Sequence, residues 1–90
     1  WNGVRSLLVA APDERGQLQY VAEVASGLSD AHRMSLLARL ARLRCERPVV
    51  TCPKRGTWVE PVVCCQVKYL ERTDRGRLRE ARFAGLLDER

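Results

Sequence analysis

Residues 17–44 read QLQYVAEVASGLSDAHRMSLLARLARLR, and the fold turns on a change of period inside that stretch. Over QLQYVAEV, Leu18, Tyr20, Ala22 and Val24 share one face while Gln17, Gln19, Val21 and Glu23 share the other. Alternation of this kind marks a strand with one side on the core. Ser26 and Gly27 break the pattern. Beyond them Ser29 or Asp30 offers the side-chain oxygen that a helix N-terminus needs. In DAHRMSLLARLARLR, Leu36, Leu37, Leu40 and Leu43 fall on one helical stripe, and Ser35, Arg39 and Arg42 project from the far side. A single helix over about residues 29–44 is expected, with a strand before it.

Working outward, VRSLLVAA at 4–11 reads as a partner strand, joined through the turn residues PDERG to form a hairpin. After the helix, residues 44–57 carry Pro48, Pro53 and Gly56 without sustained period, as expected of a long connector. WVEPVVCCQVKYLERT then resumes a strand. Val63, Cys65, Val67 and Tyr69 are expected to face inward, and Cys64, Gln66 and Lys68 outward, with Pro61 at a bulge or edge. Asp74, Arg75 and Gly76 turn the chain into RLREARFAGLL, closing a second hairpin. This order suits a mainly β domain: a small five-stranded barrel of the oligonucleotide-binding (OB) type with one capping helix. A split α+β sandwich is the alternative that periodicity leaves open.

Ninety residues make one domain, with 46% apolar and 30% charged residues, an ordinary globular balance. No window approaches a run of about 18 apolar residues, so no membrane partner is expected. Trp1 is followed by Asn, Gly, Val and Arg, which is not a signal-peptide pattern. A start without methionine, inside strand-like sequence, is expected of a piece of a longer protein. Net charge is +5, and fourteen of the sixteen cations are arginine, the side chain whose planar fork grips phosphate or carboxylate at two points. A polyanionic partner is favoured over arginines that merely solvate the surface.

Catalytic apparatus is sparse. The chain has no G-x-S-x-G elbow, P-loop, H-E-x-x-H pair or glycine-rich dinucleotide turn, and His32 has no nucleophile in sequence to act on. Cys45, Cys52, Cys64 and Cys65 form no C-x-x-C pair, so reduced thiols are expected in preference to a disulfide, and no metal site. The strongest local signal is RTDRGRLREAR at 72–82, with Arg72, Arg75, Arg77, Arg79 and Arg82 on and beside a hairpin and Lys68 on the strand before it. Lys54 and Arg55 in the connector can approach the same patch. Such a cluster neutralises phosphates and gives salt-sensitive affinity with little sequence information. The few aromatics, Trp1, Tyr20, Trp58, Tyr69 and Phe83, argue for duplex backbone contacts over a base-stacking platform.

WVEP at 58–61, CCQVKYLERT after it, GRLREARFAGL at 76–86 and LQYVAEVASGLSD at 18–30 together resemble the C-terminal OB domain of ATP-dependent DNA ligases. Within that family they look most like the bacterial D-type ligases of non-homologous end joining. The resemblance covers nearly the whole chain. It implies a domain of residues 1–90 at the C-terminal end of a longer ligase, whose upstream nucleotidyltransferase domain carries the lysine that takes AMP from ATP. It also implies ATP and Mg2+ for the parent enzyme with none bound by this domain alone, nicked double-stranded DNA as partner, and a cytoplasmic, nucleoid-associated setting in bacteria. This chain has no adenylylated-lysine motif and is expected to be inactive by itself.

In the family the OB domain closes over ATP to help pyrophosphate depart, then swings to press a basic surface against the DNA. The strand pattern, not a matched family position, makes Lys68, Arg72, Arg77 and Arg79 the leading DNA-facing candidates, with Arg75 and Arg82 beside them. One departure stands out. Where D-type ligases read G-L-R-E-D-K, this chain reads Gly85, Leu86, Leu87, Asp88, Glu89 and Arg90. The motif's arginine falls on Leu87, its aspartate on Glu89 and its lysine on Arg90, so the degenerate position is Leu87. Its loss puts assistance to adenylylation in doubt, or moves it to Arg82 or Arg90, and the alternative is a ligase-derived nucleic-acid-binding module without a catalytic role.

Overall fold

The structure, a computed structural model, describes residues 4–87. Their order is β1 (Leu7–Pro12), β2 (Leu18–Val24), α1 (Asp30–Ala41), β3 (Arg44–Cys45), β4 (Trp58–Val59), β5 (Cys65–Lys68), β6 (Glu71–Arg72), β7 (Leu78–Arg79) and β8 (Arg82–Leu86). All pairings are antiparallel: β1 with β2, β3 with β4, β5 with β8, and β6 with β7. The expected mainly β domain with one helix is what forms. Pairings that would close one five-stranded barrel are not among those made by the described residues.

The first hairpin turns where PDERG stands. The Asp13 carboxylate accepts from the backbone of Arg15 and Gln17 at 2.8 and 2.9 Å, and Gly16 takes φ +82°. Along the ladder Val9 pairs with Ala22 but Ala10 pairs with Tyr20, so Val21 is an extra residue in β2. Such a bulge re-aims the side chain. Val21 is consequently buried, at 1% exposure, together with Tyr20, Ala22 and Val24, whereas Leu18 at the strand's start is exposed. The expected half-and-half division of β2 thus fails at Val21, because alternation assumes an unbroken register.

Helix α1 is shorter than the expected 29–44. Ser29 is the N-cap and its hydroxyl accepts the His32 backbone N–H at 3.1 Å. The chain leaves helical hydrogen bonding after Ala41, and Arg44–Cys45, expected to open the connector, pairs with Trp58–Val59. Leu36 is buried and Leu37, Leu40 and Leu43 half-buried, so the apolar stripe does face the protein. Near the helix start the Arg33 guanidinium donates to the carbonyls of Val4 and Arg5, and the His32 ring meets Phe83 edge-on with centroids 4.9 Å apart.

Residues expected to run as one strand from Trp58 are divided by a turn at Pro61–Val62 into β4 and β5. Val63, Cys65 and Val67 are half-buried and Cys64, Gln66 and Lys68 exposed, as expected. Tyr69, expected to face inward, is 50% exposed because the chain bends after Lys68 before β6 begins. In β8 the pairing moves from Phe83 opposite Val67 to Gly85 opposite Gln66, leaving Ala84 as a second bulge. The Leu87 N–H donates to the Cys64 carbonyl at 3.0 Å, which carries the ladder past β8.

The core joins Val21, Ala22, Val24 and Phe83, with Leu7, Val9, Leu28, Val67 and Leu86 among the half-buried residues packed on it. Gly27 is what lets these parts meet. Its φ is +88°, and a Cβ there would be driven into the Phe83 carbonyl oxygen, while the Phe83 N–H donates to Ser26 at 2.7 Å. A second tie links the connector to β2: Glu23 accepts from Ser6 Oγ at 2.8 Å and lies 3.4 Å from the Lys54 ammonium.

Gly27→Ala is expected to cost about 2–4 kcal/mol, roughly 1 for the left-handed backbone and about 1–3 for the overpacking. In a domain this small that lowers Tm by upward of roughly 8 °C. Thermal unfolding followed by circular dichroism measures it, and an unchanged Tm would show that the turn gives way freely. The Ser6 hydroxyl, and then the Lys54 ammonium, hold the Glu23 carboxyl below the usual carboxylate range. A depressed carboxyl contributes stability above its unfolded pKa and loses that contribution as pH falls through its folded value. An NMR titration should therefore place Glu23 below ordinary glutamates, and Ser6→Ala should move it back up.

Candidate nucleic-acid interface

Two turns of the same construction present the arginine-rich hairpin and its neighbour. Thr73, Asp74, Arg75 and Gly76 repeat the form of Asp13, Glu14, Arg15 and Gly16. In both the glycine N–H donates to the first residue's carbonyl at 2.9 Å, and φ is +81° at Gly76 and +82° at Gly16. In both the residue after the glycine closes the loop. The Thr73 N–H donates to Arg77 at 2.7 Å, and the Arg77 N–H returns to Thr73 Oγ1 at 3.0 Å. Arg15, Arg72 and Arg75 line one open cleft with the acids Asp13, Glu14 and Asp74. The sequence reading did not single out Arg15. The R-G that ends both turns was the available signal.

The six cations expected at the interface meet different fates. Lys68 and Arg82 stand opposite each other in the β5–β8 ladder, both exposed, with no acidic partner among the described residues. Their alternates Val67 and Phe83 face the core, so this pair of charges faces solvent. Arg79 is drawn to Glu71, directly across the β6–β7 ladder, at 3.4 Å. Arg72 lies beside Gly76, where the Gln19 amide tucks beneath the turn.

Arg77 lies in another place. Its guanidinium carbon sits 4.7 Å from the centroid of the Tyr20 ring. Lys54 lines a second cleft together with Tyr20 and Arg77, though its ammonium is held by Glu23. Burial pushes the Tyr20 phenol up, helped by Cys52, while Lys54 and Arg77 pull the other way. The ring beneath Arg77 is therefore a neutral phenol at neutral pH, and the contact is a cation on a π face.

Among the described residues the aromatic side chains offer no platform of stacked rings. Tyr20 and Phe83 are buried and Trp58 half-buried, leaving Tyr69 as the exposed aromatic among the described residues. Trp1 lies outside the described residues, as do Glu89 and Arg90. All four cysteines are free thiols, and burial, then the neighbouring Cys64, pushes the Cys65 thiol up. Among the described residues no cluster of three or more His, Cys, Asp or Glu side chains could hold a metal ion. Leu87, where the sequence comparison expects a degenerate motif position, is a 41% exposed hydrocarbon side chain, which does not fit a phosphate. No described helix is long and apolar enough to cross a membrane.

Comparison with known proteins agrees with this architecture. The chain is 35% identical over 91 residues to the multifunctional non-homologous end joining DNA repair protein LigD of Mycobacterium tuberculosis, covering 94% of this chain and 12% of LigD. It is 33% identical over 94 residues to the LigD of Pseudomonas aeruginosa, covering 98% of this chain and 11% of that protein. The chain thus spans about an eighth of the length of these relatives. The crystal structure of the ligase domain from M. tuberculosis LigD superposes with a TM-score of 0.85 at 33% identity, covering 97% of this chain and 30% of that one. A mycobacterial DNA ligase D complexed with ATP and MES gives a TM-score of 0.80 at 32% identity, covering 96% of this chain and 30% of that one. The family described as the ATP dependent DNA ligase C terminal region matches residues 2–90, so the chain belongs to that family, as a C-terminal domain of the bacterial D-type ligases.

Proposed function

We propose that this domain clamps nicked duplex DNA for an ATP-dependent ligase of non-homologous end joining and assists adenylylation by an upstream nucleotidyltransferase domain. The observation that carries the DNA-binding part is Lys68 opposite Arg82. Like charges placed directly across a ladder oppose pairing, by a few tenths of a kcal/mol up to about 1. A surface that keeps such a pair exposed and without an acid is suited to an anion supplied from outside. The hairpin adds Arg72, Arg75 and Arg77, while Arg79 is partly spent on Glu71. The family supports ATP and Mg2+ for the parent enzyme, and a cytoplasmic place with the bacterial DNA suits the same reading. The OB barrel of residues 1–90, as the terminal unit of a longer ligase, belongs to this proposal too.

The nucleotide would be held mainly by the upstream domain. Mg2+ gains no ligand cluster from the described residues, and Leu87 supplies no charge to a departing pyrophosphate. That side chain favours a second reading, in which the domain is a DNA clamp with no part in adenylylation.

Replacing Lys68 and Arg82 together by glutamine should weaken binding to nicked duplex DNA and reduce the slope of log K against log salt by about 1.8, two phosphate contacts at roughly 0.9 each. A slope equal to that of the unaltered protein would remove these two residues from the interface. In the protein with its upstream domain, Leu87→Arg distinguishes the two readings of the motif. A restored phosphate contact in a closed site is worth about 2–4 kcal/mol, so enzyme–AMP formation should rise by roughly 30- to 900-fold if this domain assists that step. An unchanged rate would leave the clamp alone.

A further inference from the structure

We propose that Tyr20 is a positioning residue, whose buried ring holds the Arg77 guanidinium as a fixed cation with its charge left available to a DNA phosphate. The inference rests on the DNA-binding reading above and assigns the hairpin's main phosphate contact to Arg77.

The exposed cations of this region are restrained in two different ways. Arg79 and Lys54 are each oriented by a carboxylate 3.4 Å away, Glu71 and Glu23, so orientation comes with partial neutralisation. Arg77 is oriented by a ring that carries no net charge. A guanidinium lying 4.7 Å over a ring centroid is attracted by the negative π face, and Arg77 remains exposed with no acidic partner among the described residues, so its N–H donors can still meet an anion. These donors are what grip a phosphate in two places.

Both ends of the contact are held. Tyr20 is 7% exposed in the strand next to the Val21 bulge, and its place is set by the core. On the other side the Arg77 backbone is tied to Thr73 through both its carbonyl and its N–H, and Gln19 lies beneath Gly76 of the same turn. A long side chain that would otherwise lose rotamer freedom on meeting a phosphate has lost part of it already. Lysine could not substitute, because its ammonium neither stacks flat nor forks.

The test uses the protein carrying this chain, a nicked duplex oligonucleotide as probe, and affinity measured across a salt series. Arg77→Lys, which keeps the charge, should bind about three- to tenfold more weakly. Tyr20→Phe should be neutral. Tyr20→Leu should weaken binding in the Arg77 background but not when Arg77→Gln is already present, whereas a merely structural role would weaken both equally. Arg77→Lys binding as tightly as the unaltered protein, or equal losses from Tyr20→Leu in both backgrounds, would overturn the proposal. Should Tyr20→Leu fail to fold, the Arg77→Lys measurement decides alone. If the unaltered protein showed no salt-dependent duplex binding, the DNA-binding reading itself would fall, an outcome distinct from either of these.

Discussion

The approach of the Gly27 backbone to Phe83 is the constraint on which the other packing depends. Phe83 belongs to the last strand, Gly27 to the turn between β2 and α1, and Ser26 accepts the Phe83 N–H there. Through that contact the first hairpin, the helix start and the β5–β8 pair meet at one point. His32 reaches the Phe83 ring from the first turn of α1, and Val24 and Leu28, on either side of the turn, join the same apolar cluster. A short chain has few residues to spare for such a junction, and a glycine there substitutes close backbone contact for side-chain volume.

The electrostatics follow from the same arrangement. A net charge of +5 and a run of arginines say that the surface is basic, but not which charges are available. The ladder register decides that. Glu71 falls opposite Arg79 and partly consumes it, while Arg82 falls opposite Lys68 and leaves both exposed. One further step along the hairpin, Arg77 meets a ring instead of a carboxylate. An exposed ion pair contributes little to stability, so the pairing of Arg79 matters chiefly because it offsets one charge of the basic surface.

Much of this was legible in the sequence, wherever the signal was local. The break at Ser26–Gly27, the Ser29 cap and both hairpin turns are specified by residues within a few positions of each other, and each forms as expected. The Val21 bulge was not legible, because period-2 counting cannot register an inserted residue whose partner strand sets the shift. Nor was the β3–β4 pair, two residues long on each side and held across the connector. Tyr69 was misplaced for a related reason: the pattern that buries Val67 continues on paper after the chain has turned. The basic patch could be listed by composition, but Tyr20 and Arg77 lie 57 positions apart and no local pattern joins them.

The terminal segment RFAGLL shows how much can be assigned to one strand without conflict. Arg82 and Phe83, adjacent in β8, point to opposite sides, one to solvent and one to the core. The bulge at Ala84, with Gly85 at φ +145°, then resets the alternation before Leu86 and Leu87. Because of that reset, the side chain at 87 is not constrained by the packing of Phe83, and its backbone is satisfied through Cys64. Leu87 itself is 41% exposed and lies outside the apolar cluster built on Phe83. One short strand thus carries an exposed cation at Arg82, a core anchor at Phe83 and, just past its end, a partly exposed leucine at 87, each set by its own place along the ladder.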